Sequence, residues 1–219
     1  VGSGSFSLAG QVYWKVQVFR QELRVYERFE KLQNKSRRVF RSSELTRIHR
    51  ERLLKNGFLK EVMKGWLISW APSVAPGDTT LWYASFWEFC VQYCVERFGD
   101  QWHLSPEQSL LCHAENTSIP QQVIIYTPKG TNNLVELLFG TSIYDLKVKQ
   151  IPPDADLIER EGLRLFTSDA ALTKVSESFF LRSPVEAQVV LSGIGDASEV
   201  LTRLLVGGHS VIAGRLAGD

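Results

Sequence analysis

The chain has 219 residues, 44% apolar and 22% charged, which supports one large or two small packed domains and excludes wholesale disorder. No apolar run reaches about 18 residues, and no charged start precedes an apolar stretch, so the pattern predicts neither a membrane span nor a signal peptide. The net charge of +1 hides an asymmetry: residues 1–70 hold fifteen Lys or Arg against six Asp or Glu, residues 71–219 ten against eighteen.

A basic first third joined to an acidic remainder points to nucleic-acid contact by the first part, or to attraction between the two parts. Three cysteines are too few, and odd in number, for a disulfide framework, which predicts a reducing, cytoplasmic setting. A chain that starts at Val1 and has Met63 as its one methionine reads as part of a longer product.

Residues 1–10 are rich in Gly and Ser and predict a frayed start. From Gln11 to Gln33, Val12, Val16, Phe19, Leu23, Tyr26, Phe29 and Leu32 recur every three or four residues, the period of an amphipathic helix. Val39-Phe40-Arg41 is a short apolar-centred piece. Ser42 and Ser43 then read as a helix cap, with Leu45, Ile48, Leu53 and Leu54 inward and Arg47, Arg50 and Arg52 outward. Asn56-Gly57 ends that helix, since Gly tolerates the left-handed cap conformation. Residues 58–62 and 66–70 predict two strands around a turn at Met63-Lys64-Gly65.

Ala71 to Asp78 (APSVAPGD) is Pro/Gly-rich and marks a domain boundary. Beyond it an aromatic helix runs from Thr79 to about Arg97. Ser105 caps the next helix and Pro106 takes its first position. QVIIY at 122–126 is a buried strand, 134–139 and 142–148 form a hairpin around Gly140-Thr141, and 163–167 is a further strand. Helices follow over 168–175, 184–191, 197–206 and 210–216. The fold class expected is therefore α+β: an amino-terminal winged helix-turn-helix over 1–71, then a mixed α+β domain over 79–219 with helices at its end.

The chemistry-bearing pattern is the basic outline of the first part. Arg47, His49 and Arg50 are placed to donate into a major groove, with Arg52 beside them. Lys60 and Lys64 give a hairpin wing its cations, and Arg37, Arg38 and Arg41 form a second cluster suited to phosphates. Other candidates read as structural. Cys90 and Cys94 share a helix side, with His103 and Cys112-His113 further on, but their neighbours are Phe89, Val91, Tyr93 and Val95, which favours buried thiols over zinc. The loop Thr127–Asn133 lacks the Gly-Lys-Ser/Thr ending of a phosphate loop and reads as a turn. Gly207-Gly208-His209 reads as a helix–helix turn. No nucleophile–histidine–carboxylate pattern surrounds His103, His113 or His209, so no catalytic residue, metal or cofactor is expected.

Phe40 to Trp70, FRSSELTRIHRERLLKNGFLKEVMKGWLISW, resembles the amino-terminal winged helix of AbiEi-type antitoxins of type IV toxin–antitoxin systems. The hairpin ending at Val148, then Gly162–Leu172 (GLRLFTSDAAL) and Ser183–Ala187 (SPVEA), resemble the second domain of that family. The segment from Trp82 through Trp102 and HLSPEQSLLCHAENTSIPQQVIIYTPKGTNN, with Gly207–Gly214, is similar to the amino-terminal region of bacterial Fic-related (cell filamentation) proteins. In those, an AbiEi-like part precedes a domain that transfers AMP from ATP to a protein hydroxyl through His-Pro-Phe-x-x-Gly-Asn-Gly-Arg. That motif is absent from this sequence. One departure is that Ser43–Asn56 is short for two full helices and a turn.

The resemblance implies a non-catalytic, DNA-binding region with transcriptional autoregulation. Double-stranded DNA is then the partner, with a carboxy-terminal Fic domain or a toxin, and with a homodimer through the long first helix open. The alternative is a protein-interaction or regulatory region without nucleic acid.

Overall fold

The computed structural model describes residues 37–206. The helices expected over 11–33 and 210–216, and the turn at Gly207-Gly208-His209, lie outside the described residues. The fold is mixed α+β, and two compact units divide the chain, Val1–Leu81 and Trp82–Asp219.

In the first unit, β1 (Val39–Arg41) leads into a 3₁₀ turn (Ser42–Glu44), then α1 (Arg47–Lys55), β2 (Leu59–Met63) and β3 (Trp66–Ser69). The strands are antiparallel in the order β1-β3-β2. The cap predicted at Ser42 and Ser43 is corrected: Thr46 caps α1, its hydroxyl accepting the His49 N–H. Leu45, just before it, is already buried, and the chain must turn there to start a helix. The short segment accordingly holds one nine-residue helix and a single 3₁₀ turn. Gly57 ends the helix at φ +73° as expected, with the Phe58 N–H bonded back to the Leu53 carbonyl. The hairpin turns at Lys64-Gly65, Gly65 at φ +88°.

Strand alternation splits the apolar residues between two faces. Phe40, Leu59 and Leu67 face α1 and form one core with Leu45 and Leu53. Val39 and Ile68 point the other way and are also fully buried, as is most of Trp66.

The second unit begins in α2 (Thr80–Phe98), whose Trp82, Phe86, Phe89, Cys90 and Cys94 are completely buried. Next come β4 (His103–Leu104), α3 (Pro106–His113), β5 (Gln122–Thr127), β6 (Asn133–Glu136) and β7 (Ser142–Lys147). These strands form a sheet ordered β4-β5-β7-β6. The expected hairpin is present as β6–β7, and β7 also pairs with β5 in parallel. Two contacts join α2 to β7 and the residue before it: Trp82 Nε1–H donates to Thr141 Oγ1 (3.1 Å), and Arg97 meets the Asp145 carboxylate (3.2 Å). Ser105 caps α3 and Pro106 opens it, as the sequence predicts.

A second ribbon pairs β8 (Leu157–Arg160) with β9 (Leu163–Phe166). Four helices close the unit: α4 (Ser168–Leu172), α5 (Glu177–Arg182), α6 (Pro184–Ser192) and α7 (Ala197–Val206). The helix predicted over 168–175 is shorter, ending at Leu172, and α5 was not predicted. Ser109 and His113, one turn apart on α3, hold both backbone groups of Phe166: Ser109 Oγ accepts its N–H (3.1 Å), and the His113 ring bonds its carbonyl (2.7 Å). Phe166 thus anchors β9 to a core of Leu110, Leu172, Val175, Phe179 and Val190. Arg203 ties α7 down by pairing with Asp156 and, at 2.6 Å, with Asp169.

His103 is buried, its Nδ1 bonded to the Leu104 carbonyl and its ring set edge-on to Phe166 at 4.7 Å. Burial pushes its pKa down, outweighing the Leu104 carbonyl, which favours the protonated ring. The unfolded chain therefore takes up this proton at a higher pH than the folded one. The stability it contributes is present above about 6.5, the unfolded value, and is lost as pH falls. Urea midpoints measured between pH 7 and 5 should fall less steeply for His103→Gln than for the wild type. Equal slopes would remove His103 from the acid response.

Candidate nucleic-acid interface

Residues 37–81 carry nine Lys or Arg and four Asp or Glu, so the first unit is basic in its described part. The predicted contact residues do not share one environment. Arg37 makes two parallel bonds to Glu44, at 2.6 and 2.7 Å, and its guanidinium lies 5.3 Å from the Phe40 ring centre. Partial burial works against the Glu44 carboxylate, yet the bonds from Arg37 and from the Arg41 N–H hold its pKa below the usual value. This pair braces the 3₁₀ turn. Arg41 stacks on Trp66 at 4.4 Å, and Lys60 sits over Trp70 at 4.4 Å. Both cations lie on aromatic faces of the sheet, where ring quadrupoles hold them. Arg38 is exposed beside β1, and its carbonyl accepts the Ser69 N–H.

Helix α1 and the hairpin tip hold the rest. Arg47 is exposed and pairs loosely with Glu51 one turn on, at 3.6 Å. Arg50, His49 and Arg52 are half-buried rather than outward. Ile48, predicted inward, is 59% exposed. The reason is angular. Leu53, the buried anchor of α1, lies five residues beyond Ile48, about 140° round the helix. Arg50 is only about 60° from Leu53 on the same count, which draws it toward the core. The outward residues are thus Arg47, Ile48, Glu51 and Lys55, joined by the exposed Lys64 at the hairpin tip. Glu51, Lys55 and Ile48 were not singled out as contact residues. The signal for them was the distance of each from Leu53 in helical turns.

The remaining sequence candidates are accounted for by packing. Cys90 and Cys94 lie among the aromatic side chains of α2, and burial pushes both thiols well up, away from the thiolate a metal or a nucleophile needs. Among the described residues no three His, Cys, Asp or Glu gather in a metal-like group. The loop Thr127–Asn133 has its own anion. Asp145, 1% exposed, accepts the N–H groups of Thr131 (2.9 Å) and Asn133 (2.8 Å). Lys129 Nζ donates to the Phe98 carbonyl at the end of α2. Gly130 passes so close to β7 that an added Cβ would lie 3.0 Å from the Lys147 backbone. The loop is a fastened turn, and the carboxylate stands where a phosphate would have to bind.

Among the described residues no helix is long and apolar enough to cross a membrane. No family model matches the chain, and no curated protein matches it.

Proposed function

We propose that the basic segment around residues 37–70 is a winged-helix module that binds double-stranded DNA, and that it serves as the transcription-regulatory, antitoxin-like part of a cytoplasmic, Fic-related bacterial protein. One observation carries the reading. A capped basic helix stands directly before a hairpin with a cation at its tip, and strand β1 pairs with the hairpin's second strand, in the order β1-β3-β2. That is the order of a winged helix, in which the helix enters the major groove and the hairpin reaches the backbone. Arg47 and Lys55 on the helix, with Lys64 on the tip, are the exposed cations best placed for phosphates. Arg37, Arg41 and Lys60 brace the fold that presents them. The antitoxin and Fic setting rests on the resemblance of residues 40–70, 82–133, 162–172, 183–187 and 207–214 and of the hairpin ending at Val148, and catalysis would belong to another part of that system.

The test is fluorescence anisotropy of the full chain on labelled duplexes across a salt series. Arg47→Ala and Lys64→Ala should each weaken binding several-fold and lower the slope of log K against log salt by about 0.9 per lost phosphate contact. An unchanged slope would remove these residues from the interface, and no binding at low salt would end the DNA reading.

A second reading has its own support. Leu181 (79% exposed) and Val185 (67%) lie on α5 and α6, with Val189 one turn beyond Val185. An exposed apolar row of this kind suits a protein partner. It favours an interaction region that controls an attached or partner enzyme.

A further inference from the structure

We infer that Ile48 reads a thymine methyl group in the major groove, which makes the α1 module sequence-selective rather than a general binder of duplex phosphates. The inference rests on the DNA-binding reading above and names what the helix recognises. Ile48 is the one large apolar side chain more than one-third exposed among the described residues of the first unit. A single exposed apolar residue is common on protein surfaces, so its position has to carry the argument. It is the second residue of α1, two after the Thr46 cap, in the part of a recognition helix that meets base edges.

Its neighbours on the outward side are Arg47 and Glu51, with side chains 81% and 62% exposed and 3.6 Å apart. In the major groove an arginine suits guanine O6 and N7, a carboxylate suits the cytosine amino group, and an apolar side chain suits the thymine C5-methyl. The three outward side chains of the first turns therefore form one donor, one acceptor and one apolar contact. A β-branched side chain adds to this, because it holds essentially one χ1 well in a helix and keeps its methyl groups in a fixed place. No phosphate contact requires an isoleucine there. A helix serving charge alone would place a lysine or a small polar residue between Arg47 and Glu51.

The test uses the full chain and a duplex that it enriches from a random pool. The enriched duplex is synthesised once with thymine and once with uracil at every thymine, which removes the methyl groups and keeps every hydrogen-bonding edge. The wild type should bind the uracil duplex about fourfold more weakly, the effect of one methyl group withdrawn from an apolar contact. Ile48→Ala should bind both duplexes alike, and Ile48→Val should keep part of the difference. Circular dichroism of the variants confirms their fold. A wild type indifferent to uracil, or an Ile48→Ala variant that still discriminates, overturns the assignment and leaves DNA binding in place. Failure of any duplex to enrich, with salt-dependent binding still present, also overturns it. Absence of binding to every duplex removes both this inference and the reading beneath it.

Discussion

Asp145→Ala should lower the unfolding free energy of the second unit by about 3 kcal/mol, read as a drop in the urea midpoint followed by far-ultraviolet circular dichroism. The carboxylate is fully enclosed on β7, yet it serves two other segments. It accepts the Thr131 and Asn133 amides of the preceding loop, and Arg97 reaches it from the last turn of α2. Hydrogen bonds to a charged group contribute about 1.5–3 kcal/mol each, and they do not add fully because the groups share one anchor. Arg97 is 39% exposed and can be solvated again once its partner is gone, which limits the loss. Asp145→Asn keeps the shape and one accepting oxygen, so it should fall between the wild type and the alanine variant. A midpoint for Asp145→Ala within error of the wild type would mean that the loop amides find water at no cost and that the carboxylate fastens nothing.

Phe40→Ala should unfold the β1–α1–β2–β3 segment, with an expected loss of about 3–5 kcal/mol for removing a buried phenyl ring. The described core on the α1 side of the sheet has five buried side chains, Phe40, Leu45, Leu53, Leu59 and Leu67. Phe40 is the one aromatic ring among these five and is completely shielded, with Phe58 partly buried against them. A loss of that size is comparable to the whole stability of a small domain. Amide hydrogen exchange would show it as vanished protection over residues 39–41, 47–55 and 59–69. The same variant serves as a control for the binding experiment. It removes no cation, so a loss of DNA affinity would report loss of the scaffold. Retained protection would show that the core is larger than these five side chains.

Helices α2 and α3 were legible in the sequence because their signals are local. A run of aromatic residues at helical spacing marks α2, and a serine followed by proline marks the start of α3. The hairpins were legible for the same reason, from Gly65 in one and Gly140 in the other. The parallel pairing of β5 with β7 was not, since it joins residues twenty apart and no local pattern encodes it. Strand β4, with two residues, and β8, with its polar Leu-Ile-Glu-Arg sequence, owe their form to their partners β5 and β9. For the candidate interface, the sequence located the basic helix and the hairpin tip. It misplaced Ile48 and Arg50, because Leu45 reads as an inward helical residue although it precedes α1, and Ile48 three residues on is thereby put on its face. It also gave no sign that Arg37 would be bound to Glu44, a contact that requires the 3₁₀ turn to exist first.

The small sheet of the first unit is buried on both faces, at Phe40 and Leu67 on one and at Val39 and Ile68 on the other. Such a partition leaves little room for evolutionary drift in its strands, since a change on either surface meets packed neighbours. The outward row of α1 and the tip at Lys64 carry no such burden. Homologous chains should therefore diverge at positions 47, 48, 51, 55 and 64 while their strands stay apolar. A lineage can then change what it binds by a handful of surface replacements and keep its architecture intact.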